Sequence, residues 1–353
     1  MINRILITCF VLFCTIIAVA QSTTTQPAQY KVVIAGFYNL ENLFDTINDP
    51  NTYDEDFTPD GPYRYTGKIY QDKLERLSDV ISQIGTEVSP DGLAFWGTAE
   101  IENVDVLLDL AAMPKLAKRN YQPIHYNGGD PRGIDCAFMY NPNYFKPIYS
   151  KSIPINLSLA VKDGKPTRDV LWVRGVLTGT DTVDVFVGHW PSRRGGEALT
   201  APMRNYVAKI IKQYTDSLTQ IRPNAKILVM GDLNDNPTDE SIEKYLKGVD
   251  KKEKMDNSKF LNPFIDMYKK GYGTLAHNDA WGLFDQILLS NAWIDTKQEG
   301  WFYKSAYIFK KDFMVQLNGK YKGYPKRCWN FNLYNAGYSD HFPTYIQLLQ
   351  KIK

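Results

Sequence analysis

Two short stretches of this sequence carry residue types that chemistry can use. Gly231-Asp232-Leu233-Asn234 follows an apolar run, Ile227-Leu228-Val229-Met230, so it sits where a buried strand empties into a loop. Gly231 lets the backbone turn closely and Asp232 offers a carboxylate. Asn234 offers an amide two residues on, on the same face if the chain stays extended. Far along the chain, Ser339-Asp340-His341 adds a carboxylate and an imidazole just before the last strand. Carboxylate, amide and imidazole on strand ends suit metal-assisted attack of water on a phosphodiester.

Other candidate groups also fall at strand ends. Tyr38-Asn39-Leu40-Glu41-Asn42 closes the first strand, and Asn39 and Glu41, two apart, are expected to share a face. The same composition suits an Asn-rich strand-end turn. Glu100 lies just past Leu93-Ala94-Phe95-Trp96. It reads as an acid at a helix N-terminus or as a Mg²⁺ ligand, since hard cations take carboxylate oxygens. Asp135 enters a strand in Arg132-Gly133-Ile134-Asp135, and His189 leaves one in Phe186-Val187-Gly188-His189-Trp190-Pro191. A carboxylate beside an imidazole fixes its tautomer and raises its basicity, so Asp135 and His189 are an expected pair. Asp285 stands in an otherwise apolar strand and needs a partner, because an unpaired buried carboxylate is costly. His341 is the natural one. Arg193 and Arg194, on a loop with Gly195 and Gly196, suit bidentate phosphate contacts; a solvated basic loop is the alternative.

Taken in order, Asn39-Leu40-Glu41, Glu100, Asp135, His189, Gly231-Asp232-Leu233-Asn234, Asp285 and Ser339-Asp340-His341 resemble the endonuclease/exonuclease/phosphatase superfamily, best known from pancreatic deoxyribonuclease. The resemblance covers the chain from about residue 31 to 349. It implies an α/β fold, a four-layer sandwich of two packed mixed β-sheets flanked by helices, with the site at one rim. It implies hydrolysis of phosphodiester or phosphomonoester bonds with Mg²⁺, or with Mn²⁺ or Ca²⁺ in its place. Asn39, Glu41 and Glu100 would bind metal or orient phosphate, and Asp340 would add a metal contact. His341, held by Asp285, would handle the proton of the attacking water. Asp232 and Asn234 would position the nucleophile and the scissile phosphate. His189, supported by Asp135, would stabilise phosphorane-like charge or protonate the leaving oxygen. His189 also makes the chain look more like the deoxyribonuclease and sphingomyelinase branches than the abasic-site repair branch.

The elements that must position these groups interleave, as in layered α/β architectures. Strands are expected over 30–38, 93–96, 134–140, 144–155, 170–177, 183–188, 283–289 and 344–349. Helices are expected over 68–84, from Val104 with Asn103 as N-cap, and over 200–218. Leu74, Leu77, Val80, Ile81 and Ile84 share one helical face, and Val207, Ile210, Ile211, Tyr214 and Leu218 share another.

A net charge of +2 over 353 residues excludes a globally basic nucleic-acid binder, so any electrostatic attraction must be local. Arg4, the apolar Ile5 to Val19 and Ala18-Val19-Ala20 read as a cleaved secretory signal over 1–20, followed by a linker over 21–29 and one domain over 30–353. The apolar run is short for a membrane span, and Phe13 disfavours lipidation of Cys14. The expected destination is outside the cell or the periplasm. Cys136 and Cys328 remain after cleavage; a disulfide and two buried free thiols are both open.

A segment at about 297–335 is aromatic and basic, with Lys297, Lys304, Lys310, Lys311, Lys320, Lys322, Lys326 and Arg327 among Trp301, Tyr321, Tyr324, Trp329 and Phe331. Cations neutralise phosphates while aromatic faces stack on bases, which favours a nucleic-acid substrate. A hairpin packed on the core and a hairpin dipping into lipid are the alternatives. The leading expectation is a secreted Mg²⁺-dependent endonuclease cleaving DNA or RNA. A phosphatase or sphingomyelinase-like phospholipid phosphodiesterase is the enzyme alternative, and a non-catalytic nucleic-acid-binding protein is the other.

Overall fold

Alternation of apolar residues drives two sheets together. In the computed structural model, which describes residues 28–294 and 300–352, strand β1 (Tyr30–Leu43) turns Val33, Ala35 and Phe37 to one face and Ile34, Tyr38 and Leu40 to the other. The first set packs between the sheets; the second packs under the helices. The chain then runs through α1 (Gly67–Ile81), β2 (Leu93–Ile101), α2 (Val104–Ala112), β3 (Gln122–His125), β4 (Asp135–Tyr140), β5 (Phe145–Asn156), β6 (Pro166–Leu177) and β7 (Asp181–His189). It continues through α3 (Glu197–Ile221), β8 (Lys226–Asp232), β9 (Gly248–Val249), β10 (Phe260–Leu261), α4 (Phe264–Lys269), β11 (Leu275–His277), β12 (Ala280–Gly282) and β13 (Asp285–Ser290). It ends with β14 (Trp301–Ile308), β15 (Trp329–Asn330), β16 (Leu333–Tyr334) and β17 (Thr344–Lys351).

One six-stranded sheet has the order β14-β17-β1-β2-β4-β3, and one seven-stranded sheet has the order β5-β6-β7-β8-β13-β10-β9. Both are mixed: β1–β2 and β7–β8 are parallel, β1–β17 and β8–β13 antiparallel. Phe37, Phe95, Val185, Met230 and Ile346 meet in the core between them. Outside, α1 and α2 cover the first sheet through Leu74, Leu77, Val80 and Leu107, and α3 covers the second through Val207 and Ile211. Four layers result, as expected. Asn103 caps α2, its side chain accepting from the Asp105 and Val106 amides.

The segment at about 297–335 is not one insertion. Its start, β14, is the edge strand of the six-stranded sheet, and Trp301 and Tyr303 lie in the inter-sheet core. The rest is loop with a two-residue ribbon, β15–β16. Cys136 and Cys328 are both buried and free. The leader and most of the linker, with Lys297, lie outside the described residues. Among the described residues no helix is long and apolar enough to cross a membrane.

Candidate active site

Strand register assembles the rim. On adjacent strands β7, β8 and β13, His189 is the register partner of Asp232, and Asp232 is the partner of Asp285. Gly188 pairs with Gly231 one step earlier. A Cβ on Gly231 would stand 2.0 Å from the Gly188 carbonyl oxygen, so only glycine permits this approach. Across the inter-sheet gap, the inward phase of β1 ends on Asn39. Its Nδ2 donates to Asp232 at 3.1 Å and to Glu100 at 3.3 Å, tying the two sheets together. The Ser339 hydroxyl donates to the Asn39 carbonyl at 2.7 Å and accepts the His341 amide at 3.1 Å, which docks the final turn on β1.

Asp285 is fully buried, and its Oδ2 lies 2.7 Å from Nδ1 of His341. The opposite nitrogen, Nε2, is 3.8 Å from Asp232 and 3.9 Å from Asp340. Burial pushes the His341 imidazole down, but the Asp285 and Asp232 carboxylates overcome it and hold the ring well above its usual value. His189 is its opposite. Burial, the Arg168 and Arg132 guanidinium groups and His341 hold it well below its usual value, so it is neutral. Its Nε2 is 3.6 Å from Asp232 and 3.8 Å from Glu100, while Nδ1 is buried without a partner. Burial, against the pull of His341, and the nearby Asp285 and Glu100 push Asp232 up to about 7.

The backbone bends wherever a site residue must leave a strand. Glu41, Asn42, Glu100 and Asn234 have φ of 49°, 56°, 60° and 51°. Left-handed backbone at residues other than glycine costs on the order of 1–2 kcal/mol each and persists where surroundings enforce it. Here the Asn42 amide binds the Glu100 carboxylate at 3.0 Å, and the Asn234 amide binds Asp232 at 3.0 Å.

A profile described as the Endonuclease/Exonuclease/phosphatase family matches residues 33–350. The chain belongs to this family. Family-like solved structures share the fold at low identity. A humanized TDP2 from D. rerio is 12% identical, with a TM-score of 0.54 over 90% of this chain and 98% of that one. D. rerio TDP2 complexed with a single-strand DNA product is likewise 12% identical, with a TM-score of 0.53 over 90% and 98% of the two chains. A mannosyl-6-phosphatase from Bacteroides thetaiotaomicron is 16% identical, with a TM-score of 0.53 over 90% and 99%. None of the curated protein sequences compared matches the chain. Members of this family are typically hydrolases of phosphoesters, and they generally use a divalent cation.

The residues present fit such a cation. Asp232, Asp285 and His341 crowd ligand-type atoms within 4.8 Å of one another, and beside them Glu100, which is not tied to His341, offers hard carboxylate oxygens. The upward push on Asp232 by its acidic neighbours is the charge crowding a cation would relieve.

Several expected arrangements do not form. Asp135 does not pair with His189. It takes Nε2 of His125 at 3.2 Å and the Gly128 amide at 3.0 Å, because β3 lies beside β4 and β7 belongs to the other sheet. Glu41 does not share a face with Asn39. Its left-handed backbone breaks the alternation, and Oε2 accepts the Cys328 amide at 2.6 Å. Burial and Asp340 push Glu41 up to about 7. Asn234 does not extend beside Asp232; the chain turns, and Nδ2 donates to the Trp190 carbonyl at 3.0 Å. Asp340 is engaged by Arg327 at 2.9 Å. Arg193 is no free phosphate clamp: it binds Glu197 at 2.6 Å, Asp235 at 3.0 Å, the Asn234 carbonyl at 2.9 Å and Asp239. Arg194 stays exposed on the same loop.

Sequence reasoning missed Arg168 and His125. Arg168 is buried, donates to the Trp190 carbonyl at 2.6 Å and to Asp130 at 3.1 Å, and so props the loop after His189. Its strand was expected from Val170, and the polar Thr167-Arg168-Asp169 hid the true start.

A cleft of about 1090 Å³ opens beside Asp340 and Asn236. Its wall carries Trp281, Tyr321 and Tyr324 with Arg194 and Lys320. The β11–β12 ribbon turns tightly at Asn278 and Asp279, with φ of 48° and 62°, and Tyr324 bonds Asp279 at 2.7 Å.

Proposed function

We propose that this chain is a Mg²⁺-dependent phosphodiester hydrolase acting on nucleic acid. The observation that carries the reading is the Asp285–His341 pair facing Asp232 between Asn39 and Glu100, with Asp340, the residue before His341, lining the large cleft. A divalent cation would be held by the Glu100 carboxylate and would supply positive charge to a phosphoryl oxygen. Asp285 keeps His341 positively charged, so its Nε2–H donates to a non-bridging phosphoryl oxygen. Asp232, whose Oδ2 lies 3.8 Å from Nε2 of His341 and 3.6 Å from Nε2 of His189, accepts the proton of the attacking water. This reverses the role expected of His341, because an imidazolium has no lone pair to offer. Neutral His189 presents Nε2 to the opposite side of the phosphate and hydrogen-bonds the oxygen developing charge there. Asn39 holds Glu100 and Asp232 in place.

Three features support a nucleic-acid substrate over a small one. The cleft is far larger than a phosphate, its wall offers aromatic faces, and Arg194 and Lys320 add charge. The likeness to TDP2 in complex with single-strand DNA points the same way. A phosphatase acting on a phosphorylated sugar is the second reading. Asn278, Asp279 and Glu197 in the cleft suit hydroxyl groups, and the mannosyl-6-phosphatase shares the fold. We also read the chain as exported, on the leader-like residues 1–20. N-terminal sequencing of the protein from its native host should begin near residue 21.

The substrate test incubates purified protein with single-stranded DNA, RNA and hexose 6-phosphates, with Mg²⁺ or EDTA. Mg²⁺-dependent cutting of a polymer is expected. Phosphate release from sugars alone selects the second reading, and no EDTA-sensitive turnover of any substrate rejects both.

A further inference from the structure

The tip of the β15–β16 ribbon carries strain that no packing offsets. Trp329 pairs with Tyr334 and Asn330 with Leu333, so Phe331 and Asn332 alone make the turn. Phe331 has φ of 55°, and Asn332 does not share the left-handed region. A two-residue hairpin with positive φ at its first central residue is a place for glycine, and a bulky aromatic there is strained. Phe331 is nonetheless 88% exposed, and among the described residues its ring joins none of the hydrophobic clusters. A strained and exposed ring adds nothing to the stability of the fold, which points to a contact outside the chain.

The rest of the ribbon is anchored. On its inner face Trp329 packs on Tyr334 and Tyr63, with ring centroids 5.1 Å and 4.9 Å away, in a cluster with Phe44 and Tyr65. Register partners share a face, so Asn330 and Leu333 occupy the other one. Asn330 lines the large cleft, and Leu333 is 71% exposed beside it. Two contacts tie the base of the ribbon to the rim. The Cys328 amide donates to Glu41 at 2.6 Å, and Arg327 binds Asp340, the residue before His341, at 2.9 Å. From Leu317 to Asn335 the chain holds Lys320, Lys322, Lys326 and Arg327 and no acid. The tip is therefore an aromatic face held on a positively charged arm, continuous with the cleft.

We infer that the ribbon tip is a nucleobase-binding site: Phe331 stacks on an unpaired base of a strand that leaves the cleft past Asn330, and the Asn330 and Asn332 amides meet the edge of that base. The inference rests on the phosphodiesterase reading and extends it, since it names a single-stranded segment as the form of the substrate. Bases inside a duplex are already stacked and offer no face to a side chain, whereas an unpaired base does. Amide groups on both sides of Phe331 favour this occupant over a lipid surface, because an amide drawn into hydrocarbon loses its hydrogen bonds. The lysines and arginine along the arm neutralise the phosphates that run from cleft to tip.

The test compares wild type with Phe331→Gly and Phe331→Tyr on a mixed-sequence single-stranded oligonucleotide, the matching blunt duplex and a small aryl phosphodiester, all with Mg²⁺. Phe331→Gly is expected to raise KM for the single strand roughly 10-fold with kcat unchanged, and to raise KM for the duplex less. The small diester should be unaffected, Tm should hold or rise because glycine suits the turn, and Phe331→Tyr should restore KM. Phe331→Asn, which tolerates left-handed backbone, takes the place of Phe331→Gly if that chain fails to fold. An unchanged KM for the single strand overturns the site, and so does an equal loss on the single strand and the small diester. Sedimentation with phosphatidylserine vesicles that Phe331→Gly abolishes, with KM unchanged, assigns the tip to lipid instead. Wild-type turnover of the small diester without cutting of the oligonucleotide refutes the nucleic-acid reading, and the base site with it. The wild-type rates thus judge that reading, and the ratio of variant to wild type judges the base site.

Discussion

The candidate catalytic rim and the cleft wall are built by different means. Rim groups sit on register: His189, Asp232 and Asp285 are lateral neighbours on three hydrogen-bonded strands, and Asn39 reaches them from the opposing sheet. The wall sits on loops and a short ribbon, joined by few contacts such as Tyr324 to Asp279 and the stacking of Trp281 on Phe342. Strand ends fix atoms to fractions of an ångström, while loops change shape and composition at little cost to the fold. On the proposed function, the rim would carry the chemistry shared by all substrates, and the wall the choice among them.

The largest effect should come from the rim and should ignore substrate size. His341→Ala is expected to lower kcat on the order of 10²–10⁴-fold, on a DNA oligomer and on a small aryl phosphodiester alike. Asp285→Asn should act in the same direction and less strongly, since His341 stays but loses its charge partner. Steady-state kinetics on both substrates measure this. Near-normal turnover of the small diester by His341→Ala would break the division between rim and wall.

The rim should also declare itself in stability. Folding raises the Asp232 carboxyl to about 7, above the 3.8 of an unfolded chain. The folded state then holds more protons than the unfolded state between those values, so this group's contribution to stability falls as pH rises through them. Without divalent cations, Asp232→Asn should match wild type near pH 4 and gain in Tm relative to it up to pH 7. Saturating Mg²⁺ should abolish or reverse the gain. A Tm difference that is flat with pH in EDTA would mean that Asp232 carries no raised proton affinity.

The sequence made the rim more legible than the wall, for physical reasons. Strand ends are marked by apolar runs that stop at a polar residue, which places Asp232 and His189, whereas Glu100, expected past a strand ending at Trp96, lies inside β2, which continues to Ile101. Pairing was only half legible. Asp285 lies inside an apolar strand and demands a partner, and His341 provides it. Asp135 starts its strand beside β3, and strand order, which spacing does not reveal, hands it to His125. The reversed phase at Glu41 was hidden for a similar reason: nothing local announces left-handed backbone in Glu or Asn with the clarity of a glycine. In the wall, aromatic and basic residues read alike whether they fill a core or line a cleft. Trp301 and Tyr303 turned out to be core, while Tyr321 and Tyr324 face the cleft.

Wall substitutions should therefore discriminate between substrates. Trp281→Ala with Tyr321→Ala is expected to raise KM for an oligonucleotide roughly 10-fold, within the range of one stacked base lost, and to leave the small diester unchanged. If both substrates suffer equally, the wall supports the rim instead of reading the substrate.

The smallest effects separate two adjacent arginines. Arg193 is 20% exposed at its side chain and bridges the loop after His189 to the loop after Asp232, with its guanidinium also over Phe284 at 4.7 Å. Arg193→Ala removes donors from Asp235, which is buried, so about 1–3 kcal/mol of stability should go with it. Arg194 projects from the same loop into the cleft without an ion-pair partner among the described residues. Arg194→Ala should leave Tm unchanged, raise KM for a polymeric substrate a few-fold, and reduce the salt dependence of KM by about one phosphate contact. Chemical denaturation and KM measured across a salt series read the two outcomes separately. The contrast holds only if they divide this way, because the same loop then belongs to the rim through one arginine and to the wall through the next. A salt slope lowered by Arg193→Ala and untouched by Arg194→Ala would place the phosphate contact on the rim and remove Arg194 from substrate binding.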